Sequence, residues 1–269
     1  MEKTKVLFIS QEITPYLPEN KLSRVSRYLP QGIQERGKEI RTFMPRYGCI
    51  NERRHQLHEV IRLSGMNLII DDMDHPLIIK VASIQAARMQ VYFIDNEDYF
   101  QRKHVLTNEE GTHFEDNDER AIFYARGVLE TVKKLRWSPD VIHCQGWFTG
   151  IAPLYLKKVF NEDPLFADTK VVFSLYNDKF EESFSENFKE KVKLENISDE
   201  DVKSLSESNY YGINKLAIDH SDAVIIGSEE ADNDLIEYAK GLNIPILEYK
   251  NEDEYLDAYS KFYDEVLGL

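Results

Sequence analysis

The sequence predicts an α/β fold, a single doubly wound and mostly parallel sheet with a β-hairpin insertion, from three observations. Short apolar runs alternate with helix-patterned stretches along most of the chain. The opening run, Val6 to Ser10 (VLFIS), is continuously apolar, as a parallel strand buried on both faces should be. Between Leu57 and Ile94 the alternation gives way to successive β-rich runs, which reads as a hairpin and adjacent strands added to the sheet.

The elements follow in order. After the first strand, a polar turn leads into a helix from about Leu22 to Arg36, which Gly37 ends. Ile40 to Met44 is the next strand, and the βαβ crossover it completes should be right-handed. Leu57 to Ile70, Leu77 to Ser83 and Met89 to Ile94 are the β-rich runs. The polar, acidic segment from Asp95 to Asp118 reads as a long surface loop. Asp118 and Glu119 open a helix, with Asn117 as its cap and acids at the positive end of the dipole. Ile122, Ala125, Val128, Leu129, Val132 and Leu135 form its apolar stripe, and Ser138-Pro139 stops it. Val141 to Cys144 is a strand, Gln145 to Thr149 a loop, and a helix starts at Gly150. Val171 to Leu175 is a strand. Glu181 to Asp201, highly charged, reads as an exposed helix and linker, and Asp199 to His220 as mostly helical. Ala223 to Gly227 (strand), Glu229 to Lys240 (helix), Ile244 to Leu247 (strand) and an aromatic-rich helix over about 252–266 complete the pattern. Tyr255, Leu256, Tyr259, Phe262 and Val266 share one face of that last helix. They either pack on this domain or meet a protein partner or second copy.

Bulk composition narrows the partners. With 33 Lys and Arg against 48 Asp and Glu, the net charge of −15 disfavours nucleic acid and anionic membranes and accommodates a neutral polymer. Two cysteines, Cys49 and Cys144, make no disulfide framework, so a cytoplasmic setting is expected. The N-terminal MEKTKVLFISQEI lacks the pattern of a signal peptide and reads as a strand.

In open α/β sheets ligands bind outside the carboxyl ends of strands, which points to Asp140–Leu156 (DVIHCQGWFTGIAPLYL). The first βα turn, Gln11 to Ser23, holds no glycine, which argues against a conventional dinucleotide site. No metal-binding spacing is present and no cofactor is expected. His143 and Cys144 are adjacent in a strand and point to opposite faces. His143 is expected to satisfy backbone groups in the sheet.

The chain resembles the N-terminal catalytic domain of bacterial glycogen synthases and plant starch synthases. The resemblance is carried by VLFISQEITPY (Val6 to Tyr16), MPRYG (Met44 to Gly48), DNDERAIFYARGVLETV (Asp116 to Val132), PDVIHCQGWFTGIAPLYLK (Pro139 to Lys157) and SDAVIIGSEEADNDLIEYA (Ser221 to Ala239). It implies a Rossmann-like domain, the N-terminal half of the two-domain GT-B glycosyltransferase fold, over residues 1–269, with the second, nucleotide-sugar-binding domain absent. It also implies a retaining glucosyltransferase chemistry that extends an α-1,4-glucan from ADP-glucose.

The departures from that family's motifs are as informative. Its Lys-Thr-Gly-Gly-Leu loop is replaced by Pro18, Glu19, Asn20, Lys21 and Leu22, and a following Asp by Arg24. Glu19 is expected to repel a pyrophosphate. Its His-Asp-Trp-His loop becomes Gln145, Gly146, Trp147 and Phe148, so the position of the family's catalytic His is Phe148, which forms no side-chain hydrogen bond. Its Thr-x-His-Asn becomes Ser174, Leu175, Tyr176 and Asn177. The resemblance therefore implies a domain that is inactive or incomplete alone, with α-glucan as a ligand and ADP-glucose bound weakly or not at all. The alternatives are an active half, either completed by a partner chain or working through an unusual site built from Lys21, Arg24 and Asn177, or a non-enzymatic regulatory or scaffold protein.

The cleft-lining candidates are Glu12, Tyr16, Lys21, Trp147 and Asn177, with no catalytic residue and no metal ligand assigned. Trp147 and Tyr16 either stack on glucose rings or, for Trp147, pack the loop on the sheet. Arg46 and Tyr47 either line an acceptor groove or brace the strand end. Asn177 either meets a sugar hydroxyl or caps its turn.

Overall fold

The computed structural model describes residues 3–269; Met1 and Glu2 of the N-terminal segment lie outside the described residues. The chain opens with β1 (Lys5–Ser10), α1 (Lys21–Glu35) and β2 (Glu39–Pro45), then α2 (Glu52–His55) and β3 (His58–Glu59). β4 (Met66–Ile70), β5 (Met73–Ile84) and β6 (Met89–Asp95) follow, with α3 (Glu97–Phe100) and α4 (Asn117–Leu135) after them. β7 (Val141–Gln145), α5 (Ala152–Lys158), β8 (Lys170–Leu175), α6 (Phe188–Val192) and α7 (Tyr210–Asp219) come next. The described chain ends with β9 (Ala223–Ile226), α8 (Asn233–Gly241), β10 (Ile246–Leu247) and α9 (Tyr255–Leu267).

The strands run in the order β10-β9-β8-β7-β1-β2-β6-β5-β3, with β4 paired to β5. From β10 to β6 neighbours are parallel, and β5 is antiparallel to β3, β4 and β6. The doubly wound, mostly parallel sheet and its hairpin insertion are thus as the sequence indicated. The β4–β5 turn consists of Asp71 and Asp72, at φ 47° and 62°. Both central residues at positive φ match the twist of a two-residue hairpin.

β1 shows why the apolar run is continuous. Val6 and Phe8 face a layer built by Leu29 and Ile33 of α1 with Tyr259, Phe262 and Tyr263 of α9. Leu7 and Ile9 face the opposite layer, which contains the α4 stripe and α5. α1 and α9 pack closely enough that a β-carbon on Gly32 would overlap the Leu256 side chain.

Four expectations need correcting. The 95–118 segment is not simply a surface loop: it includes α3, and Tyr99, Phe100 and Leu106 are buried. The buried Arg120 of α4 holds it, donating to the carbonyls of Tyr99 (2.7 Å) and Val105 (2.8 Å). Asn117 is no cap either. Its amide donates to the Leu106 carbonyl (2.8 Å) and its oxygen accepts from Arg120 (2.5 Å), while Asp116 holds the capping position. In the 181–201 region only α6 is α-helical, and Phe184, Phe188, Val192 and Ile197 are buried, so a few apolar anchors outweigh the charged composition. Before Tyr210 the 199–220 region is a 3-10 turn at Lys203–Ser206 and coil.

Smaller differences have local causes. α4 stops at Leu135 because Arg136 turns left-handed at φ 50°, ahead of Ser138-Pro139. α8 starts at Asn233, where Asp232 caps it by accepting from the Asp234 amide (3.0 Å). A 3-10 turn, Trp147–Thr149, precedes α5.

α9 settles the alternatives left for its aromatic face. Tyr259, Phe262 and Tyr263 are buried against this domain, so that face is not free for a partner or second copy. His143 likewise meets side chains rather than backbone. Its Nδ1 pairs with the Tyr263 hydroxyl (2.7 Å) and its Nε2 with Ser174 Oγ. Cys144 lies on the opposite layer, and both cysteines are free thiols. Among the described residues no helix is long and apolar enough to cross a membrane.

Candidate functional site

β1, β7, β8 and β9 are parallel neighbours, so the loops that leave their carboxyl ends converge. Gln11 and Glu12 follow β1, Trp147 follows β7, Asn177 and Asp178 follow β8, and Ser228 and Glu230 follow β9. With Asn20 and Lys21 at the start of α1, they line a cleft of about 400 Å3. This is where parallel-sheet topology places ligands.

A hydrogen-bond chain fixes the cleft floor. Ser10 Oγ donates to Gln145 Oε1 (2.8 Å), and Gln145 Nε2 to the Tyr176 hydroxyl (3.3 Å). The Phe148 amide donates to Gln11 Oε1 (3.3 Å). Asn20 Nδ2 donates to Glu12 Oε2 (2.6 Å), which ties the helix start to the β1 turn. Asn20 also closes a capping box with Ser23, so the first amides of α1 are partly used within the chain.

Asp178 is half-buried in the cleft wall. Its carboxylate accepts from the Trp147 amide (3.0 Å) and from the Tyr210 hydroxyl (3.2 Å). Burial pushes its pKa up to about 6, against the pull of those two donors. The cleft's cations are engaged: Lys179 Nζ donates to the Tyr211 hydroxyl (2.7 Å), and Lys21 lies 3.5 Å from Glu230. Asn177 Nδ2 donates to the same Glu230 carboxylate (3.0 Å) rather than capping its own turn. Three carboxylates, Glu12, Asp178 and Glu230, thus face two lysines. Such a lining offers acceptors to hydroxyl donors and little attraction to a polyanion.

Of the sequence candidates, Glu12, Lys21, Trp147 and Asn177 come together here. Tyr16 does not. Its ring packs edge-on against Phe93 (4.9 Å) and His55 (5.1 Å) on the β2–β6 side, and burial pushes its pKa up to about 12. The Trp147 indole is 1% exposed, set among His113, Phe180 and Phe184 at 5.8, 4.7 and 5.7 Å. It is a wall rather than an open stacking surface. Glu19 is also displaced from its expected role. It pairs with Arg24 (3.1 Å), and both line a neighbouring hollow instead of the cleft. Arg46 and Tyr47 brace the end of β2. Arg46 pairs with Glu52, and the Tyr47 hydroxyl donates to the Gln11 carbonyl (3.1 Å).

Phe148 is fully buried, stacked on Tyr124 at 5.8 Å, and is not part of the cleft lining. An imidazole does reach the cleft from elsewhere. His113 comes from the 95–118 segment and lies flat on Phe180 at 4.5 Å. Sequence reading missed His113, Asp178, Lys179, Ser228 and Glu230. Asp178 and Lys179 were within reach of the strand-end rule, directly after β8, whereas nothing local in the sequence signals His113.

The family model for the starch synthase catalytic domain matches residues 5–245. Glycogen synthase of Chlorobium limicola is 39% identical over 174 residues, 64% of this chain and 36% of that protein. Glycogen synthase of Pelodictyon phaeoclathratiforme is 37% identical over the same length and shares. The matched stretch therefore spans about a third of these curated relatives. The catalytic domain of starch synthase IV from Arabidopsis thaliana, solved with ADP and acarbose, superposes with a TM-score of 0.71 at 16% identity. That superposition covers 94% of this chain and 53% of the plant one, a likeness of fold.

Proposed function

Because this chain belongs to the starch synthase catalytic domain family, we propose that its cleft holds an α-glucan and that the described residues alone transfer no glucose. The observation that carries this is the cleft's charge. Glu12, Asp178 and Glu230 line it, and both of its lysines already have partners. Glucan hydroxyls are neutral donors and suit carboxylate acceptors. A nucleotide diphosphate meets like charge and no uncommitted cation.

Glucosyl transfer further requires groups that stabilise an oxocarbenium-like state and the departing diphosphate. The buried Phe148 supplies no hydrogen bond to a sugar, and its place in the core keeps it from the cleft. Donor-binding groups would have to come from outside the described residues, on another stretch of chain or another protein.

Calorimetric titration tests the reading. Maltoheptaose gives a binding isotherm that Asn177→Ala weakens, ADP-glucose gives none, and incubation with ADP-glucose and a glycogen primer releases no ADP. ADP release that disappears on Asp178→Asn substitution would overturn it.

A further inference from the structure

We infer that a second hollow, between α1, the segment after β10 and the start of α9, is a separate binding site for a neutral oligosaccharide. It encloses about 490 Å3, inside the range of small-molecule sites, about 300–1,000 Å3. Its ligand class is argued from its own lining, so the inference stands independently of the cleft reading.

Tyr28 of α1, Tyr249 after β10, and Tyr255 and Tyr259 of α9 supply four aromatic rings around the hollow. Tyr259 is buried and fixes the base, meeting Tyr255 edge-on at 5.8 Å. Arg24 and Arg27 lie over the Tyr28 ring at 5.7 and 5.0 Å. Tyr249 is different. It is 39% exposed and makes no ring contact or hydrogen bond among the described residues. An uncommitted aromatic face on a packed scaffold suits the apolar face of a pyranose, and the hydroxyl adds a polar tip.

The charges give no net attraction to a polyanion. Three cations (Lys21, Arg24, Lys250) meet three carboxylates (Glu19, Glu229, Glu252). Arg24 spans two of those acids, Glu19 at 3.1 Å and Glu252 at 3.4 Å. Lys250 and Glu229 make no ion pair among the described residues, leaving one donor and one acceptor in the lining of the hollow for hydroxyl groups. Balanced charge, a free ring and paired polar groups describe a polyhydroxylated, uncharged ligand. The hollow shares Asn20, Lys21 and Ser228 with the cleft, so the two sites adjoin along the carboxyl edge of the sheet.

The test is calorimetry of the full chain with maltoheptaose, with thermal melts confirming that each variant folds. Tyr249→Ala should weaken one component of binding roughly tenfold, and Tyr249→Phe should retain it, because the ring face is kept. Asn177→Ala should leave that component intact. A wild-type isotherm that Tyr249→Ala leaves unchanged, or no heat with maltoheptaose, overturns the inference. So does Tyr249-dependent binding of ADP in place of the oligosaccharide. Binding lost in Tyr249→Ala but untouched by Asn177→Ala supports this site and counts against the cleft reading; the reverse pattern does the opposite.

Discussion

The Asp178 carboxylate oxygen Oδ2 lies 2.9 Å from the point that a β-carbon on Gly146 would occupy, and Gly146 itself adopts φ +84°. The same carboxylate accepts from the Trp147 amide one residue on. The loop after β7 can therefore close over Asp178 only if residue 146 has no side chain. Gly146→Ala meets both a strained backbone and a close contact, and should lower unfolding free energy by about 1–3 kcal/mol. A urea melt of the purified variant against the parent measures it, and an unchanged midpoint refutes it.

Asp178 also carries a pH dependence whose sign can be worked out. Its pKa is raised from 3.8 to about 6 by burial. The folded state therefore holds the proton more tightly than the unfolded state. The stability that this contributes is full below about pH 4 and lost as pH rises through about 6. At 1.36 kcal/mol per pKa unit, the change is at most about 3 kcal/mol. Subtracting the stability profile of Asp178→Asn from the parent between pH 4 and 7 isolates the effect; a flat difference refutes it. Saccharide binding through an ionised Asp178 should strengthen over the same interval.

The extent to which this was legible in the sequence follows from the range of the interactions. β1, α1 and the doubly wound fold class could be read because apolar periodicity and glycine placement are local signals. Glu12, Lys21 and Asn177 were found because each lies at a strand end or helix start. The 95–118 segment was misread because it is held by Arg120, a charged residue fully buried in α4, whose partners are carbonyls 15 and 21 positions away. That same tether brings Leu106 and His113 to the cleft wall. Tyr16 shows the opposite failure: adjacency in sequence to the β1 turn placed it with Glu12, yet its ring points to Phe93 and His55 on the other side.

The His143–Tyr263 pair secures α9 to the sheet. His143 is fully buried between Tyr263 and Ser174, and burial lowers its pKa to about 3. Its folded pKa lies below the ordinary 6.5, so its contribution is present above about pH 6.5 and is lost as pH falls toward 3. Tyr263→Phe keeps the ring and leaves Nδ1 without its partner, which should cost about 1–3 kcal/mol. Chemical denaturation at pH 8 measures this. Preserved stability in the variant would show that the hydroxyl contributes nothing to holding α9.

Restoring an imidazole at position 148 should not create a transferase. Phe148 lies in the core, stacked on Tyr124 and edge-on to Trp147 at 5.3 Å, with the Arg120 guanidinium 6.0 Å from its ring. A histidine there would bury two ring nitrogens beside a cation, which disfavours its protonated form and leaves polar atoms in an apolar contact. The backbone amide already donates to Gln11 Oε1, so the loop has no cause to turn the side chain outward. Phe148→His should therefore destabilise the fold by about 1–3 kcal/mol and release no ADP from ADP-glucose with a glycogen primer. A thermal melt and an ADP-coupled assay on the same preparation read both outcomes. ADP release above the parent would mean that the ring reaches the cleft and that position 148 alone separates this domain from catalysis.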